Sequence, residues 1–444
     1  PQFRNYFKKN YYPNFNISYP LSMPTYLIPR PYNINLKRIK NNTKTQGILI
    51  WNNAHVAYLL NIRSFELCNS TKPFSGLFIP KKNIKPILIT NNLSLNKISK
   101  ISNSFNIFRE EKFIRFLKLS KLKIIETSYD FLNLNIYMRL SKFLNLSETR
   151  INISKYLGVK TSKEIKNIEN CHIEDGLAVL KFIIDLKQKN INPKSEYEIS
   201  EYLYSKRKEG INFFRNSFDY ISAFDSNAAI IHYKPLPKKS LSYKNRNILL
   251  IDSGAQYLEG TTDITRVIKV GKKIHTKIKH SYTYLLKSLI KIENKLFPRN
   301  TRSSTIDLYI RNYLSKFKIY YSHGTGHGVG NFGDVHEKYP IISSKSQDIL
   351  TNNNLFSIEP GHYVEGQFGL RLENLYVTKN SNNGLELKNI TLVPYDLDLI
   401  NFKLITNDEK KYIKKYHKKI YETLQPRLNN EHKKYFLKNL IYKI

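Results

Sequence analysis

Apolar positions follow two different patterns along the chain. In the first third, short apolar runs at 47–62, 76–80 and 86–90 are separated by turn residues, which is typical of strands. We therefore predict a small α/β domain over 31–158. Residues 1–30 are rich in Tyr, Asn and Pro, show no periodicity, and are interpreted as a linker.

The pattern becomes helical in a second domain, which we place at 159–444. Thr161 and Glu164 form a capping-box sequence, and apolar residues follow at helical spacing, so a long amphipathic helix is predicted from this point. The strands expected between the helices carry the polar residues on which the functional interpretation depends. Further helices are predicted after Pro193, over 278–296 and over 407–428.

The formal net charge of +37 would by itself suggest a nucleic-acid or anionic-membrane partner. However, the lysines are scattered along the whole chain and accompany an excess of Asn, Ile, Tyr and Phe, which AT-rich codons encode. We interpret the charge as codon drift on solvated surfaces. No nucleic-acid partner is therefore expected.

Cysteine usage and hydropathy restrict the compartment. Cys68 and Cys171 are far apart and form no CxxC motif, which is typical of a reducing compartment. No run approaches the roughly 18 apolar residues of a membrane helix, and the N-terminal segment has no hydrophobic signal core. These features predict a cytoplasmic protein without a membrane partner.

Two aspartates occur at or near the ends of apolar strands. Asp252 follows the apolar run 248–251, where burying an unpaired charge would cost several kcal/mol. Asp263 is eleven residues further on, and a hairpin turn at Glu259 and Gly260 would bring the two carboxylates together. Two adjacent buried carboxylates either share a proton or hold a cation.

A second pair of acids occurs near the C-terminus. Glu359 ends an apolar strand at a Pro-Gly turn, and strand alternation beyond the turn places Leu370 and Leu372 on one face. Arg371 and Glu373 then share the other face. A single buried acid is more often a structural ion-pair partner. Four carboxylates at strand ends, with histidines between the pairs, instead favour a chemical centre.

The segment HGTGHGVG, residues 323–330, contains His323 and His327 among four glycines. The glycines disfavour a helix, and with it a zinc site of the HExxH type. We predict an extended strand that lets the backbone approach a compact centre, with one histidine on the ions and the other facing substrate. Two Asp, two Glu and one His form an oxygen-rich donor set, which suits two Mn²⁺ ions, with Co²⁺, Zn²⁺ and Fe²⁺ as alternatives.

Five motifs occur in order along the chain: AAIIHYKP, DSGAQYLEGTTDITR, HGTGHGVG, DVHE and IEPGHYVEGQFGLRLEN. Together they resemble the M24 metallopeptidases of pita-bread fold, most closely their Xaa-Pro aminopeptidases of the cytosolic three-domain type. The resemblance covers about 160–425, and a weaker one over 30–158 is with the second N-terminal domain of that family. It implies an α/β (α+β) chain, in which a creatinase-N-like domain precedes a catalytic pita-bread domain with a C-terminal helical extension.

The resemblance also implies roles for single residues. Asp263 and Glu373 would bridge two metal ions, and Glu359 would accept a proton in catalysis. His232 and His336 would be catalytic residues that position the scissile peptide. The implied substrate-binding residues are His323 and Arg371, and the implied metal ligands are Asp252, Asp263, His327, Glu359 and Glu373.

The activity implied by the resemblance is hydrolysis of the peptide bond between an N-terminal residue and a following proline, by a metal-bridging hydroxide. The expected partners are peptides with proline at the second position and a second copy of the chain in a homodimer. Two alternatives stay open. One is a prolidase restricted to Xaa-Pro dipeptides, and the other is a pita-bread module that binds RNA or chromatin-like partners without catalysis.

Two features depart from the family pattern. Residues 1–30 stand where the three-domain members have a complete first domain, so we interpret them as a remnant or linker of a largely missing domain. Phe224 and Asp225 occupy a position where the family commonly has a Gly-Pro or Gly-rich turn. None of the implied metal ligands is lost.

Overall fold

The computed structural model describes residues 21–82, 84–92, 95 and 98–444. The chain divides into two compact units between Leu157 and Gly158. Of the segment interpreted as a remnant or linker, residues 1–20 lie outside the described residues.

The first unit is built on a six-stranded mixed sheet of order β6–β5–β4–β2–β7–β8, and β1 pairs with β3. The strands are Leu21–Ser22 (β1), Gly47–Ile50 (β2), Ile62–Arg63 (β3), Ser75–Pro80 (β4), Ile87–Thr90 (β5), Asn106–Phe108 (β6), Ile124–Thr127 (β7) and Asn145–Glu148 (β8). The helices of this part are Tyr32–Asn42 (α1), Asn53–Leu60 (α2), Ser99–Ser104 (α3), Glu110–Leu119 (α4), Leu134–Leu140 (α5) and Ile153–Gly158 (α6).

The central strand β2 is covered on both faces of the sheet. Ile48 and Ile50 pack into one apolar cluster, and Leu49 between them packs into another. A strand buried on both sides has a continuous apolar sequence instead of an alternating one. This explains why the run that begins at Gly47 is recognisable in the sequence.

The strand interpretation of 47–62 is wrong for its second half, which forms helix α2. The side chain of Asn52 accepts hydrogen bonds from the N–H groups of Ala54 and His55 and so caps the first turn. Val56 and Leu59 then pack in the same cluster as Ile48 and Ile50 of β2. A short apolar run does not distinguish a buried strand from a buried helix by periodicity alone.

The second unit combines four sheets with the longest helices. Its sheets are β10–β11–β14, β13–β12–β9, β16–β15–β17–β20–β21 and the pair β18–β19. The strands are Phe213–Asn216 (β9), Ile221–Phe224 (β10), Ile248–Ser253 (β11), Ala255–Tyr257 (β12), Gly260–Thr261 (β13), Ile264–Lys269 (β14), Gly326–Gly328 (β15), Glu337–Ile342 (β16), Leu355–Ile358 (β17), Gly361–Val364 (β18), Phe368–Arg371 (β19), Asn374–Ser381 (β20) and Gly384–Asn389 (β21). The helices are Ser162–Gln188 (α7), Glu196–Lys208 (α8), Thr276–Glu293 (α9), Ser303–Ser315 (α10), Asn407–Leu424 (α11) and Asn430–Phe436 (α12).

The helices predicted from capping and periodicity are present. Thr161 and Glu164 form the full capping box at the start of α7, because each side chain accepts the backbone N–H of the other residue. The other predicted helices correspond to α8, α9 and α11. Within the described ranges, no helix has the length and apolar character that crossing a membrane requires.

A buried histidine connects α11 to the rest of the second unit. The backbone N–H of Tyr395 donates to Nε2 of His417 at 3.1 Å, so Nδ1 carries the proton and donates to the carbonyl of Leu440 at 2.9 Å. The bond that Nε2 accepts requires a neutral imidazole, because both ring nitrogens of a protonated histidine are donors. Burial lowers the pKa of His417 to about 4.

We expect acid to destabilise the fold through His417. Its pKa is lower in the folded chain than the ordinary value of 6.5, so its contribution is complete above pH 6.5 and is lost as the pH falls toward 4, by up to ~3 kcal/mol. The His417→Gln variant does not titrate at this position. Urea denaturation should therefore show a shallower fall of its unfolding free energy between pH 6.5 and 4, and equal falls would contradict the assignment.

Candidate active site

A β-hairpin brings Asp252 and Asp263 together. Strands β11 and β14 pair antiparallel, with Asp252 opposite Thr265. Between them the chain turns through the β12–β13 hairpin, whose last paired residues are Tyr257 and Gly260, one residue earlier than the predicted turn. Asp263 stands directly before β14, and both aspartates are buried.

Glu359 and Glu373 lie at the ends of neighbouring strands. Glu359 follows β17, whose last residue Ile358 pairs with Asn374, the first residue of β20. Glu373 directly precedes β20, and one of its carboxylate oxygens accepts the hydroxyl of Thr265 at 2.8 Å. This bond connects the second pair of acids to the strand that follows the first pair.

The four carboxylates and His327 form one cluster. Burial, followed by the charges of neighbouring acids, raises the pKa of Asp263 and of Glu373 well above the usual range, and burial also raises the pKa of Asp252. Like charges in a desolvated site are relieved by a proton or a cation. Donor atoms lie within 4.8 Å of one another in three groups: Asp252, Asp263 and Glu373; His327, Glu359 and Glu373; and Asp263, His327 and His336.

Glu359 differs from the other three acids. Burial would raise its pKa, but the hydrogen bond and charge of His327 oppose this and lower the pKa to about 2. The atoms involved, Nε2 of His327 and Oε1 of Glu359, are 3.3 Å apart. Glu359 is therefore ionised at neutral pH.

Arg371 balances only part of this negative charge. Its Nη2 donates to Oδ2 of Asp252 at 2.6 Å. When all four carboxylates are ionised, they exceed this one guanidinium by three charges. The other oxygen of Asp252, Oδ1, is buried and has no hydrogen-bond partner among the described residues, although buried polar atoms normally have one. The donor set and this orphaned oxygen therefore fit divalent cations.

The ring of His327 is oriented to act as a metal ligand. Its Nδ1 lies 3.0 Å from the carbonyl oxygen of Gly328, so this nitrogen carries the proton and donates it. Nε2 faces Asp263 at 3.6 Å and Glu359 at 3.3 Å, so it donates to Glu359 when it is protonated and offers its lone pair to a cation when it is not. Metal-ligating histidines are commonly held in this way by a carbonyl on the other ring nitrogen.

Both ring nitrogens of His323 are occupied by protein groups. Nδ1 lies 2.7 Å from the carbonyl oxygen of Gly324, and Nε2 lies 2.9 Å from Oη of Tyr363. With Nδ1 as donor and Nε2 as acceptor, neither nitrogen remains for a cation. The two histidines of HGTGHGVG are therefore chemically distinct.

A cavity of about 250 Å³ is lined by the cluster and by every other residue of the predicted site, including His232, His323 and Arg371. The ring centroid of His336 lies 4.2 Å from that of His327. Burial and the neighbouring His327 lower the pKa of His336 to about 4, so it is neutral at neutral pH. Apolar side chains complete the lining, among them Phe218, Ile231 and Ile341.

Sequence reasoning missed two residues of the site. Tyr363 accepts a hydrogen bond from Nη1 of Arg371 at 2.8 Å and bonds to His323, and Thr265 bonds to both Glu373 and Arg371. The two-residue spacing from Asp263 is a signal that could have identified Thr265. Tyr363 has no such signal, because its place depends on the pairing of β18 with β19.

Asp225, which stands where the family commonly has a glycine-rich turn, stabilises its own backbone conformation through its side chain. It adopts a φ of 41°, in the left-handed region where glycine is usual. Its carboxylate accepts the N–H of Ile248 at 3.1 Å and that of Asn247 at 3.2 Å. Asp225 thus binds the start of β11, the strand that carries Asp252 at its other end.

The glycines of β15 are required by close packing. A Cβ atom on Gly326 would lie 1.8 Å from the carbonyl oxygen of Ser357, and one on Gly328 would lie 2.3 Å from that of Tyr339. Gly324 is different, since its nearest neighbour would be 3.5 Å away. The strand that carries His327 can therefore lie between β16 and β17 only with glycine at both flanking positions.

Known proteins share both the sequence features and the fold. Metallopeptidase family M24 matches residues 167–380, and the C-terminal region of peptidase M24 matches residues 383–443. A probable Xaa-Pro aminopeptidase P from Podospora anserina is 38% identical over 296 residues, which cover 64% of this chain and 43% of that protein. Xaa-Pro aminopeptidase 1 from Dictyostelium discoideum is 32% identical over 431 residues, which cover 92% of this chain and 68% of that protein. The matched regions thus span from about two fifths to about two thirds of these relatives.

Among solved structures, an X-prolyl aminopeptidase from Caenorhabditis elegans is similar, with a TM-score of 0.87 and 22% identity. The match covers 98% of this chain and 74% of that one, which is described as a cytosolic enzyme with a di-nuclear active site. The predicted α/β fold class with a pita-bread domain is confirmed.

We expect the Gly326→Ala variant to lose stability and metal affinity, because its new methyl group would collide with the backbone of Ser357 and displace β15. The cost should be at least ~2 kcal/mol in unfolding free energy, as for overpacking against groups that cannot move. Thermal unfolding and Mn²⁺ titration would measure both effects. The Gly324→Ala variant of the same segment is the control and should behave like the wild type; similar losses in both variants would contradict this account.

Proposed function

Because the chain belongs to metallopeptidase family M24, we propose that it is a metal-dependent Xaa-Pro aminopeptidase, which hydrolyses the bond between an N-terminal residue and a following proline. The observation that carries this proposal is the buried cluster of four carboxylates and His327 in the wall of one cavity. The names of the relatives from P. anserina and D. discoideum support the choice of substrate.

We assign the two parts of the chain different roles. Residues 31–158 would be the creatinase-N-like domain, and residues 159–444 would be the catalytic domain with its helical extension. Both matches to the M24 descriptions, at 167–380 and 383–443, fall within the second part. This supports placing the chemistry there.

The site would hold two divalent ions, and Mn²⁺ suits its oxygen-rich donors best, with Co²⁺, Zn²⁺ and Fe²⁺ as competitors. When bound, such ions lower the pKa of water and polarise a carbonyl group. Asp263 and Glu373, each of which belongs to two of the three groups of neighbouring donor atoms, would be shared between the ions. The complete ligand set would be Asp252, Asp263, His327, Glu359 and Glu373.

The other polar residues would orient the peptide and handle protons. His232 and His336 line the cavity, and we assign them as hydrogen-bond donors to the scissile carbonyl oxygen as its negative charge develops. A neutral His336 can fill this role because it keeps one N–H. Glu359 is ionised and would accept a proton. Tyr363 hydrogen-bonds to both His323 and Arg371. These two residues would bind substrate on their side of the cavity.

The apolar part of the cavity suits the proline ring. Phe218, Ile231 and Ile341 are half-buried and offer a surface without hydrogen-bonding groups. The nitrogen of an Xaa-Pro bond has no N–H, so a site for this bond needs no acceptor at that point. We therefore place the proline against these side chains.

A prolidase that acts on Xaa-Pro dipeptides is the second candidate, because the same cluster would serve the same bond. The names of the curated relatives favour the aminopeptidase. A binding module without catalysis is less well supported, since the structure brings all five donor residues together. The proposal also includes a homodimer and a cytoplasmic location, both implied by the resemblance.

We expect the Glu373→Ala variant to lose Mn²⁺-dependent release of arginine from Arg-Pro-Pro by at least ~100-fold, because removing this acid breaks a ligand set. Mn²⁺ should stabilise the wild type by about 2.7 kcal/mol per site at a hundredfold excess over Kd. The variant should lose most of this stabilisation. Glu365→Ala removes an exposed carboxylate eight residues earlier in the sequence, outside the cavity lining, and is the control. Unchanged activity of Glu373→Ala would refute the site assignment.

Comparing Arg-Pro-Pro with Arg-Pro tests the substrate class. An aminopeptidase should release arginine from the tripeptide, whereas a prolidase should cleave only the dipeptide. If neither is cleaved in Mn²⁺ and the protein instead binds RNA with a steep salt dependence, the enzyme proposal fails.

A further inference from the structure

Glu196, the first residue of α8, is a fully buried acid outside the metal cluster. One of its oxygens, Oε1, accepts the backbone N–H of Phe224 at 2.7 Å. The other, Oε2, accepts the backbone N–H of Leu241 at 2.7 Å and the hydroxyl of Tyr233 at 2.7 Å. The side-chain amide of Asn227 donates to both oxygens at 3.1 Å.

All of these donors belong to one segment of the chain. Residues 224–241 leave strand β10, form a 3₁₀-helix at Asp225–Ala229, and return to pair beside the start of α8. We call this segment the 224–241 loop. Its first and last residues both donate to Glu196, so a single carboxylate closes the loop at its two ends.

The 224–241 loop forms one wall of the candidate active site. It carries His232 and Ile231, both of which line the cavity. It also packs closely on β19, because a Cβ atom at Gly369 would lie 1.8 Å from the carbonyl oxygen of Ala228. A change in the loop would therefore move the histidine that the proposed mechanism assigns to the scissile carbonyl.

The charge of Glu196 is compensated by dipoles. In the described part of the chain Glu196 forms no ion pair with lysine or arginine, and its partners are the donors of the 224–241 loop. It also lies in the first turn of α8, where the helix dipole favours a negative charge. Hydrogen bonds from several donors stabilise a buried carboxylate and fix its neighbours in return.

We propose that Glu196 is a positioning residue, which holds the 224–241 loop closed so that His232 faces the cavity. The part of this inference that concerns turnover rests on the proposed function. The part that concerns the loop rests only on the hydrogen bonds of Glu196.

The Glu196→Gln variant tests this proposal with almost no change in shape. Each carboxylate oxygen accepts a backbone N–H, and a backbone N–H cannot turn into an acceptor. Whichever way the glutamine amide is placed, its NH₂ group therefore faces the N–H of Phe224 or that of Leu241. One end of the loop must be released.

The matched control is Glu198→Gln, which removes an acid from the same turn of α8. Glu198 is exposed and accepts the backbone N–H of Lys194 at 2.8 Å, outside the 224–241 loop. It should behave like the wild type in every measurement below.

Limited trypsin digestion reports on the loop independently of activity. Lys238 and Lys239 are exposed in the loop and offer cleavable bonds, and cleavage requires local opening of the backbone. We expect cleavage at these sites to be at least ~10-fold faster in Glu196→Gln than in Glu198→Gln. Equal rates would overturn the proposal.

A double-mutant cycle with His232→Ala tests whether Glu196 acts through that histidine. In the otherwise wild-type chain, Glu196→Gln should lower kcat for Arg-Pro-Pro by about 10- to 100-fold, as expected for a small misplacement of a catalytic group. In the His232→Ala background the same change should cost less than about 3-fold. Equal losses in both backgrounds would overturn the positioning role.

Two further outcomes have defined meanings. If Glu196→Gln does not fold, Tyr233→Phe removes one of the bonds and should show the same effects in smaller measure; its wild-type behaviour in both assays would overturn the proposal. If the wild type and Glu198→Gln do not cleave Arg-Pro-Pro, the proposed function has failed. The trypsin rates then still decide whether Glu196 holds the loop.

Discussion

The concentration of buried negative charge in the second unit is the constraint on which the rest of the structure depends. Four carboxylates share one small volume, and Arg371 balances one of them. Desolvation makes each unbalanced charge costly, so rigid strands must hold the acids together while protons or cations relieve their repulsion. The ladders β11–β14 and β17–β20 supply that rigidity, and Thr265 joins them through its bond to Glu373.

The same constraint explains how two histidines four residues apart acquire different roles. His327 donates one ring nitrogen to a carbonyl and presents the other to the acids, whereas His323 uses both ring nitrogens on protein groups. Glycines at 326 and 328 let His327 come this close, because no side chain fits between β15 and its neighbours. Hydrogen-bond partners, more than residue type, therefore decide which imidazole is available to a cation.

Buried polar groups outside the cluster support the walls of the cavity in a similar way. Lys160 and Glu337 form a buried ion pair of 2.7 Å, and Glu337 directly follows His336 in the sequence. Glu196 accepts a backbone N–H from each end of the 224–241 loop, which carries His232. The segment that carries each wall histidine thus contains or binds a separate buried carboxylate, and a partly satisfied network at either place would loosen the site.

The sequence alone determined that acids stand at strand ends, that a glycine-rich segment is extended, and that α7 begins with a capping box. Each of these features depends on residues within a few positions of one another. The strand prediction for 53–60 is wrong, because a short buried apolar run is compatible with either a strand or a helix. The hydrogen bonds of the Asn52 side chain cap this segment as a helix. Only the tertiary structure decided the places of Tyr363 and Glu196. Leu241 is 45 residues from the acid that binds it, and strand register and loop closure over such separations are set by the packing of the whole unit.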